Sequence, residues 1–334
     1  MFLREPLTPG AAADGHRHRA PSRPPRTPPR PVRRRPPSAP VPAPPRTLGG
    51  PPHPASRQER RPVTDDAPVI DTSVPHSARI WNYWLGGRDH YEVDRAAGER
   101  YRTTFPGIVD LARASRDFRI RSVRHLAGEA GIRQFLDIGT GLPAAGSTHE
   151  TAQAVAPEAR IVYVDNDPLV LAHARALLTS GPAGVTDYIH ADLREPAAIL
   201  AAAVRTLDFG EPVGLILSGV LGHIDSYRRA RAIVAELIEA LAAGSHLSLN
   251  DGTSVISRAI RRAQRDYNAS GAVPYHLRSP EEIGGFFAGL DLIEPGLVSC
   301  PLWRPARVPA VAEGCGEPGP EHAVDIFGGV GRKP

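Results

Sequence analysis

Three aspartates, each near the end of a strand-like run, are the side chains best suited to ligand chemistry. Asp137 lies in the apolar stretch 134–141, which closes with Gly139, Thr140 and Gly141, whereas Asp165 and Asp192 end the next two runs. Carboxylates accept hydrogen bonds from ribose hydroxyls and from amines. A glycine turn between a strand and a helix brings the main chain close to such a ligand. The pattern predicts a nucleoside site of negative charge.

Each aspartate has its own expected role. Asp165 is expected to accept both hydroxyls of a ribose, because an acid at the end of the second strand does so in nucleotide-binding folds. Asp192 is expected to accept a hydrogen bond from an exocyclic amine such as that of adenine. Asp137 is expected at a cationic amino-acid end of the ligand. The predicted contact set also includes Thr140, Asn166, Leu193 and Ser218.

A dinucleotide site is the first alternative. Gly139, Gly141 and Ala144 match the Gly-x-Gly-x-x-Gly/Ala fingerprint of NAD(P)-dependent oxidoreductases. A pyrophosphate favours positive potential, however, and Asp137 supplies the opposite charge just before the turn. An adenosine that carries a positive group, such as S-adenosylmethionine with its sulfonium and ammonium, fits better. A protein that binds an adenosyl ligand without turning it over stays open as the second alternative.

The elements that must position these residues alternate from residue 132 onward. Strands alternating with helices predict an α/β fold with a doubly wound, mostly parallel sheet of seven strands, whose ligand lies at the carboxyl ends. Pro143 fits the first turn of the helix after the glycine turn. The predicted strands are 135–138, 161–164, 188–190, 213–217, 246–249, 297–300 and 323–328, and the predicted helices are 143–155, 168–178, 197–203, 227–243, 254–268 and 280–289.

An aromatic-rich segment, 75–91, precedes the sheet and contains two of the three tryptophans. Ile80, Tyr83 and Trp84 stand at helical spacing and predict a short helix ending near Gly86; helices over 92–101 and 110–130 follow. The segment would either cover the sheet edge or act as a lid that excludes water from the site. The residues expected to face the site are Arg79, Asn82, Tyr83, Gly86 and Asp89.

Charge divides the chain unevenly. Residues 1–62 hold 13 arginines, three acids and half of the 36 prolines. We expect a disordered tail over 1–65, a helical cap over 66–131 and a Rossmann-like core over 132–334. Since the whole chain carries +4 and residues 1–62 carry +10, the rest carries −6, which argues against a nucleic-acid surface. With no secretory or membrane-spanning segment, the expected location is cytoplasmic. Cys300 and Cys315 match no metal spacing.

The motifs around the three aspartates resemble the first three binding motifs of class I S-adenosylmethionine-dependent methyltransferases. The chain more closely resembles the actinobacterial S-adenosyl methyltransferase family, long carried as a domain of unknown function. The resemblance implies an enzyme that uses S-adenosylmethionine and methylates a small molecule. One departure is 219–225, where a more apolar stretch is expected. The matching stretches are 75–80, 85–89, 135–143, 162–168, 191–193 and 328–333.

Methyl transfer by direct displacement needs positioning and water exclusion more than a nucleophilic side chain. The sequence accordingly offers no nucleophile with a partnered base. His223, which follows the fourth strand, is the candidate general base for a protonated acceptor.

Overall fold

The computed structural model describes residues 71–143, 146–177, 181, 183–305 and 319–334. Within these residues eight strands form one sheet in the order β3-β2-β1-β4-β5-β8-β6, with β7 also paired to β8. The first five strands are parallel, and β8 is antiparallel to its neighbours. The strands are β1 (Gln134–Ile138), β2 (Arg160–Asp165), β3 (Val185–His190), β4 (Gly214–Ser218), β5 (His246–Gly252), β6 (Asp291–Leu292), β7 (Val298–Ser299) and β8 (Ile326–Arg332).

Helices cover both faces of the sheet. They are α1 (Ser77–Trp84), α2 (Glu92–Thr104), α3 (Ile108–Gly128), α4 (Thr148–Gln153), α5 (Pro168–Leu177), α6 (Pro196–Ala203), α7 (Tyr227–Glu239), α8 (Arg258–Asn268) and α9 (Pro280–Gly284). Short 3₁₀ turns follow at Leu221–His223, Gly285–Phe287 and Cys300–Leu302. None of the described helices has both the length and the apolar character that crossing a membrane requires.

The central strands are buried on both faces, which explains why they are continuous apolar runs. Successive side chains of a strand point to opposite faces. Phe135 accordingly packs in the apolar cluster with α1, α2 and α3, and its neighbour Leu136 packs in the cluster with α6 and α7. The predicted doubly wound, mostly parallel α/β fold is therefore confirmed.

The far edge of the sheet differs from the prediction in its details. The strand expected over 323–328 begins at Ile326 and continues to Arg332, and the short strand β6 raises the number from seven to eight. Strand β8 contains three glycines, Gly328, Gly329 and Gly331. The reason for one of them is packing, because a Cβ at Gly328 would lie 2.9 Å from the Asn250 Cβ on β5.

The helix after the glycine turn is shorter than predicted. It starts at Thr148, so Pro143 lies in the preceding loop and not in a first helical turn. Ser147 caps it, and the Glu150 carboxylate accepts the backbone N–H groups of Gly146 (2.8 Å) and Ser147 (3.1 Å). This Ser-x-x-Glu capping box fixes the start of the helix. The motif is present in the sequence and predicts that start.

Helices α1 to α3 are joined to the sheet by shared packing. Ile80 and Trp84 of α1 are buried, and the Trp84 ring lies 5.2 Å from that of Tyr101 on α2. Ile80, Trp84 and Tyr101 belong to the same apolar cluster as Phe118 and Phe135. The predicted tail, 1–65, lies outside the described residues, and the boundary between cap and core at 131 stays a prediction.

Candidate active site

One cleft opens over the carboxyl ends of β1 to β4. Its lining includes all three predicted aspartates, Asp137, Asp165 and Asp192, together with the glycine turn after β1. The parallel order of β3, β2, β1 and β4 brings these strand ends side by side, as in other doubly wound sheets. Of the remaining predicted contacts, Thr140, Asn166, Leu193 and Ser218 also line the cleft.

Asp137 lies at the inner end of the cleft and is only 1% exposed. Its Oδ2 accepts a hydrogen bond from the Thr148 hydroxyl (2.6 Å) and lies 3.9 Å from a guanidinium nitrogen of Arg119. Burial raises the pKa of this carboxyl, whereas Arg119 and Thr148 act in the opposite direction. The inner end therefore combines a buried acid with an adjacent cation.

Asp165 connects the end of β2 to the glycine turn. Its Oδ2 accepts the Gly141 N–H (2.8 Å) and its Oδ1 accepts the Asp167 N–H (2.9 Å). Burial raises the pKa of Asp165, and these two N–H groups counteract the rise. Asp165 is not the N-cap of α5, because Asp167 has that role and accepts the Leu169 N–H at 2.9 Å. The Asp165 carboxylate thus holds the turn and borders the cleft.

The two glycines of the turn are needed for different reasons. Both have positive φ, 76° at Gly139 and 68° at Gly141. A Cβ at Gly139 would lie 2.4 Å from the Val220 Cγ2, whereas a Cβ at Gly141 would meet nothing within 4 Å. Both glycines line the cleft, as predicted, and at Gly139 the absence of a side chain also makes room for Val220. Gly141 is the open position.

Asp192 is held by its neighbours at the end of β3. Its Oδ1 accepts the Arg194 N–H (2.8 Å), and its Oδ2 accepts from the Arg194 guanidinium (2.9 Å) and from the Asn166 amide (3.3 Å). Burial by itself raises the pKa of Asp192, but the Arg194 N–H and guanidinium and the Asn166 amide outweigh it and lower the pKa. Asp192 stays ionised at neutral pH.

Helix α1 covers the cleft with a different face from the one predicted. Of the five expected residues only Asn82 lines the cleft. Arg79 instead donates to the carbonyls of Asp71 (3.1 Å) and Val74 (3.0 Å). Tyr83 donates to the Glu99 carboxylate. The residues of this segment that line the cleft are His76, Ser77, Ala78, Trp81, Asn82 and Leu85.

Gly86 and Asp89 are the other two corrections. Gly86 has φ 82° and lies just after the end of α1, and the Asp89 N–H donates to the Asn82 side chain at 3.0 Å. The physical reason is the rotation of α1 about its own axis, which decides which residues face the core. Ile80 and Trp84 face the core, so the adjacent strip, at Trp81 and Leu85, faces the cleft.

A polar face of α3, which sequence reasoning missed, forms part of the cleft wall. Ala112, Ser115, Arg116 and Arg119 line the cleft at the spacing i, i+3, i+4, i+7 of one helical face. Arg119 donates to the Thr148 hydroxyl (3.2 Å) as well as lying near Asp137. Two arginines on an otherwise buried face were the available signal.

A family model described as S-adenosyl methyltransferase matches residues 63–334. The chain belongs to this S-adenosyl methyltransferase family. It is similar to a crystal structure of a DUF574 family protein from Streptomyces avermitilis MA-4680, with 43% identity, a TM-score of 0.73, and coverage of 80% of this chain and 100% of that one. It is also similar to a putative methyltransferase from Thermobifida fusca YX, with 39% identity, a TM-score of 0.69, and coverage of 79% and 96%. A search of curated proteins found no match.

The methyltransferase family confirms three predictions from the sequence: the family itself, an enzyme of the methyltransferase class, and S-adenosylmethionine as the cofactor. The cleft of this methyltransferase fits that group. An adenosine with a cationic amino-acid end would have carboxylates at three successive strand ends beside it, and Gly141 leaves space beside the main chain. Among the described residues no cluster of histidine, cysteine and acidic side chains could hold a metal ion.

His223 lies where the cleft of the methyltransferase meets a second cavity, and it lines both. Its Nδ1 is 2.9 Å from the Pro274 carbonyl oxygen, which can only accept, so Nδ1 carries the proton and Nε2 is left as an acceptor. Burial lowers the pKa of His223 to about 4. The ring is therefore neutral at physiological pH.

Proposed function

We propose that this methyltransferase transfers the methyl group of S-adenosylmethionine to a small-molecule acceptor by direct displacement. The observation that carries the proposal is the single cleft in which Asp137, Asp165 and Asp192 face one space at the carboxyl edge of the sheet. Bound S-adenosylmethionine supplies an electrophilic methyl carbon, activated by the positive sulfur to which it is attached. The protein has then to bind, orient and exclude water.

Asp165 is proposed to hold the ribose. A carboxylate has roughly four lone-pair sites. The described backbone uses one on each oxygen, through Gly141 and Asp167. One site per oxygen remains, which matches the two hydroxyls of a ribose.

Asp192 is proposed to accept the exocyclic amine of adenine. Arg194 and Asn166 occupy two sites on Oδ2, and one N–H occupies a site on Oδ1. Oδ1 therefore keeps a site for one more donor. Leu193, beside it, supplies apolar contact for the base.

The inner end of the cleft is proposed to hold the amino-acid end of the cofactor. Asp137 offers a carboxylate for the ammonium, and Arg119 offers positive charge for the carboxylate. Opposite charges side by side suit a zwitterion, because each group of the ligand replaces water lost on burial with a partner of opposite sign.

Helix α1 is proposed to exclude water, since Trp81 and Asn82 cover the cleft. His223 is proposed to orient the acceptor and take its proton, because its neutral ring keeps Nε2 available. With a pKa of about 4 it is a weak base, so its contribution is hydrogen bonding to the acceptor and proton removal as the new bond forms.

A small acceptor is proposed over a nucleic acid because residues 63–334 carry −6 and the cleft lies beneath α1. A phosphate backbone would need a positive surface.

Calorimetry of the full chain with S-adenosylmethionine, S-adenosylhomocysteine and NAD⁺ tests the cofactor side. We expect the two adenosyl ligands to bind and NAD⁺ not to bind. Preferential NAD⁺ binding would favour the oxidoreductase alternative and refute the proposal. Formation of S-adenosylhomocysteine in the presence of small-molecule extracts tests turnover. Binding without any turnover across such extracts would favour the non-catalytic alternative.

A further inference from the structure

A second cavity lies beside the cofactor cleft and shares Ser77, Trp81 and His223 with it. Its remaining wall consists mainly of aromatic rings and branched aliphatic side chains contributed by α1, α2, α3 and α8. None of the described residues that line it is an aspartate, glutamate, lysine or arginine. The cavity is therefore uncharged, in contrast to the acidic cleft next to it.

The polar atoms of this wall are largely paired within the protein. The Trp84 indole N–H donates to the Gly98 carbonyl (3.2 Å), and the Tyr101 hydroxyl donates to the Gln264 Oε1 (3.0 Å). The Gln264 amide in turn donates to the Asn268 Oδ1 at 2.9 Å. With these atoms engaged, the wall presents ring faces and methyl groups to an occupant.

The carboxylate behind Tyr275 and Gly252 of the wall is unavailable to a cation. Asp251 is fully buried behind Tyr275, whose hydroxyl donates to its Oδ1, and the Arg278 guanidinium lies 3.2 Å from its Oδ2. An ammonium group entering the cavity would lose its water without gaining a counter-ion. A carboxylate would lose its water in the same way, because Arg278 is already paired.

His223 and Ser77 are the polar side chains that line both cavities, and the position of the His223 ring is fixed. Its Nδ1 is committed to the Pro274 carbonyl, and its ring packs edge-on against Tyr275 at 5.1 Å between ring centroids. These two contacts fix the ring plane and leave Nε2 as the acceptor for a donor that reaches the junction.

We propose that this second cavity binds the methyl acceptor, and that the acceptor is an uncharged, flat, largely apolar compound with one hydroxyl or N–H group directed at His223. This inference rests on the proposed function. In the reaction the acceptor's oxygen or nitrogen forms the bond to the methyl carbon, and the bond from that carbon to sulfur breaks with its electron pair on sulfur. The acceptor's proton passes to Nε2 of His223 and then to solvent.

Three phenols of one scaffold test the charge rule: 4-ethylphenol, 4-hydroxyphenylacetate and tyramine, which are neutral, anionic and cationic. Each is titrated into the full chain saturated with S-adenosylhomocysteine, and each is then incubated with methyl-labelled S-adenosylmethionine. We expect 4-ethylphenol to bind about tenfold or more tighter than either charged phenol, and to be the best methyl acceptor of the three. Equal or tighter binding of a charged phenol, or no binding by any of the three, would overturn the inference.

A charge placed in the wall gives an independent test. Gln264→Glu keeps the acceptor for the Tyr101 hydroxyl but adds a negative charge to the cavity. Arg262→Gln changes the net charge by the same amount on the exposed side of α8 and is the matched control. We expect Gln264→Glu to weaken 4-ethylphenol binding about tenfold or more, with S-adenosylhomocysteine affinity unchanged, and Arg262→Gln to change neither.

Failure of this inference is distinguishable from failure of the proposed function. Unchanged 4-ethylphenol binding in Gln264→Glu would overturn the assignment of the second cavity alone. Absence of S-adenosylhomocysteine binding in the unsubstituted chain would overturn both. If Gln264→Glu unfolds in a thermal melt, the comparison of the three phenols on the unsubstituted chain decides.

Discussion

Replacing Asp165 tests whether its carboxylate binds the ribose of the cofactor. In Asp165→Ala the cofactor loses both proposed ribose contacts, and the Gly141 and Asp167 N–H groups lose their acceptor. In Asp165→Asn one oxygen remains. In the unsubstituted chain each carboxylate oxygen accepts a backbone N–H, so the NH₂ group of Asp165→Asn has to face one of these two donors.

The magnitude follows from these contacts. A hydrogen bond to a charged group contributes about 1.5–3 kcal/mol. Two ribose contacts that share one carboxylate are not additive, so we expect Asp165→Ala to lose about 3 kcal/mol of binding free energy, roughly a hundredfold in Kd. Stability changes less, because burial raises the pKa of Asp165 and an ionised buried carboxylate is itself costly. We expect a loss of about 1–2 kcal/mol in unfolding free energy.

Calorimetric titration with S-adenosylhomocysteine measures the affinity, and urea unfolding without ligand measures the stability. Asp291→Asn, an exposed position on the edge strand β6, is the control for the same chemical change. Asp165→Asn is expected between the unsubstituted chain and Asp165→Ala. A folded Asp165→Ala variant that binds S-adenosylhomocysteine with unchanged affinity would refute the ribose assignment.

Three further predictions concern the turn, the inner end of the cleft and the proposed base. Gly139→Ala is expected to cost about 3 kcal/mol in urea unfolding, because its Cβ would meet Val220 and its φ is positive; a double-mutant cycle with Val220→Ala should show coupling of about 1 kcal/mol, and additivity would contradict this. Arg119→Gln is expected to raise the pKa of Asp137 further, so that S-adenosylhomocysteine affinity begins to fall at a higher pH than in the unsubstituted chain; superimposable calorimetric pH profiles would contradict it. His223→Gln is expected to lower kcat about a hundredfold with cofactor affinity unchanged, and an undiminished kcat would exclude it as the base. Between pH of about 6.5 and about 4 the His223 imidazole is protonated only in the unfolded state, so the unsubstituted chain loses stability as pH falls through this range. The His223→Gln variant should not show this loss.

The parallel sheet and the three aspartates could be predicted because the signals are local. A buried parallel strand has to be apolar throughout, and its end has to turn, so Phe135, Asp137 and the glycines after them mark one strand end without reference to the rest of the chain. Parallel pairing then brings Asp165 and Asp192 to the same edge, because all such strands end on one side. This geometry needs no knowledge of side-chain packing.

The parts that could not be predicted depend on how elements rotate against one another. The apolar residues of α1 show that Ile80 and Trp84 face the core, yet whether the next strip reaches the cleft depends on where α2 and α3 pack. The orientation of Arg116 and Arg119 on α3 could not be predicted for the same reason, since both could equally have been solvent-exposed. The start of α4 was different. The capping box at Ser147 and Glu150 is present in the sequence and marks the helix start, whereas Pro143 does not.

The two cavities share one wall, and this sharing determines how the site can work. Trp81 on α1 lines both, whereas Ile80 and Trp84 of the same helix line only the uncharged cavity. Because these residues also belong to the apolar cluster beneath the sheet, α1 cannot move away from one cavity without disturbing the other. Methyl transfer needs the methyl donor and the acceptor to be positioned together in a space from which water is excluded. A helix that borders both an acidic and an uncharged space meets this need by packing, and His223 supplies a hydrogen-bond acceptor at the junction.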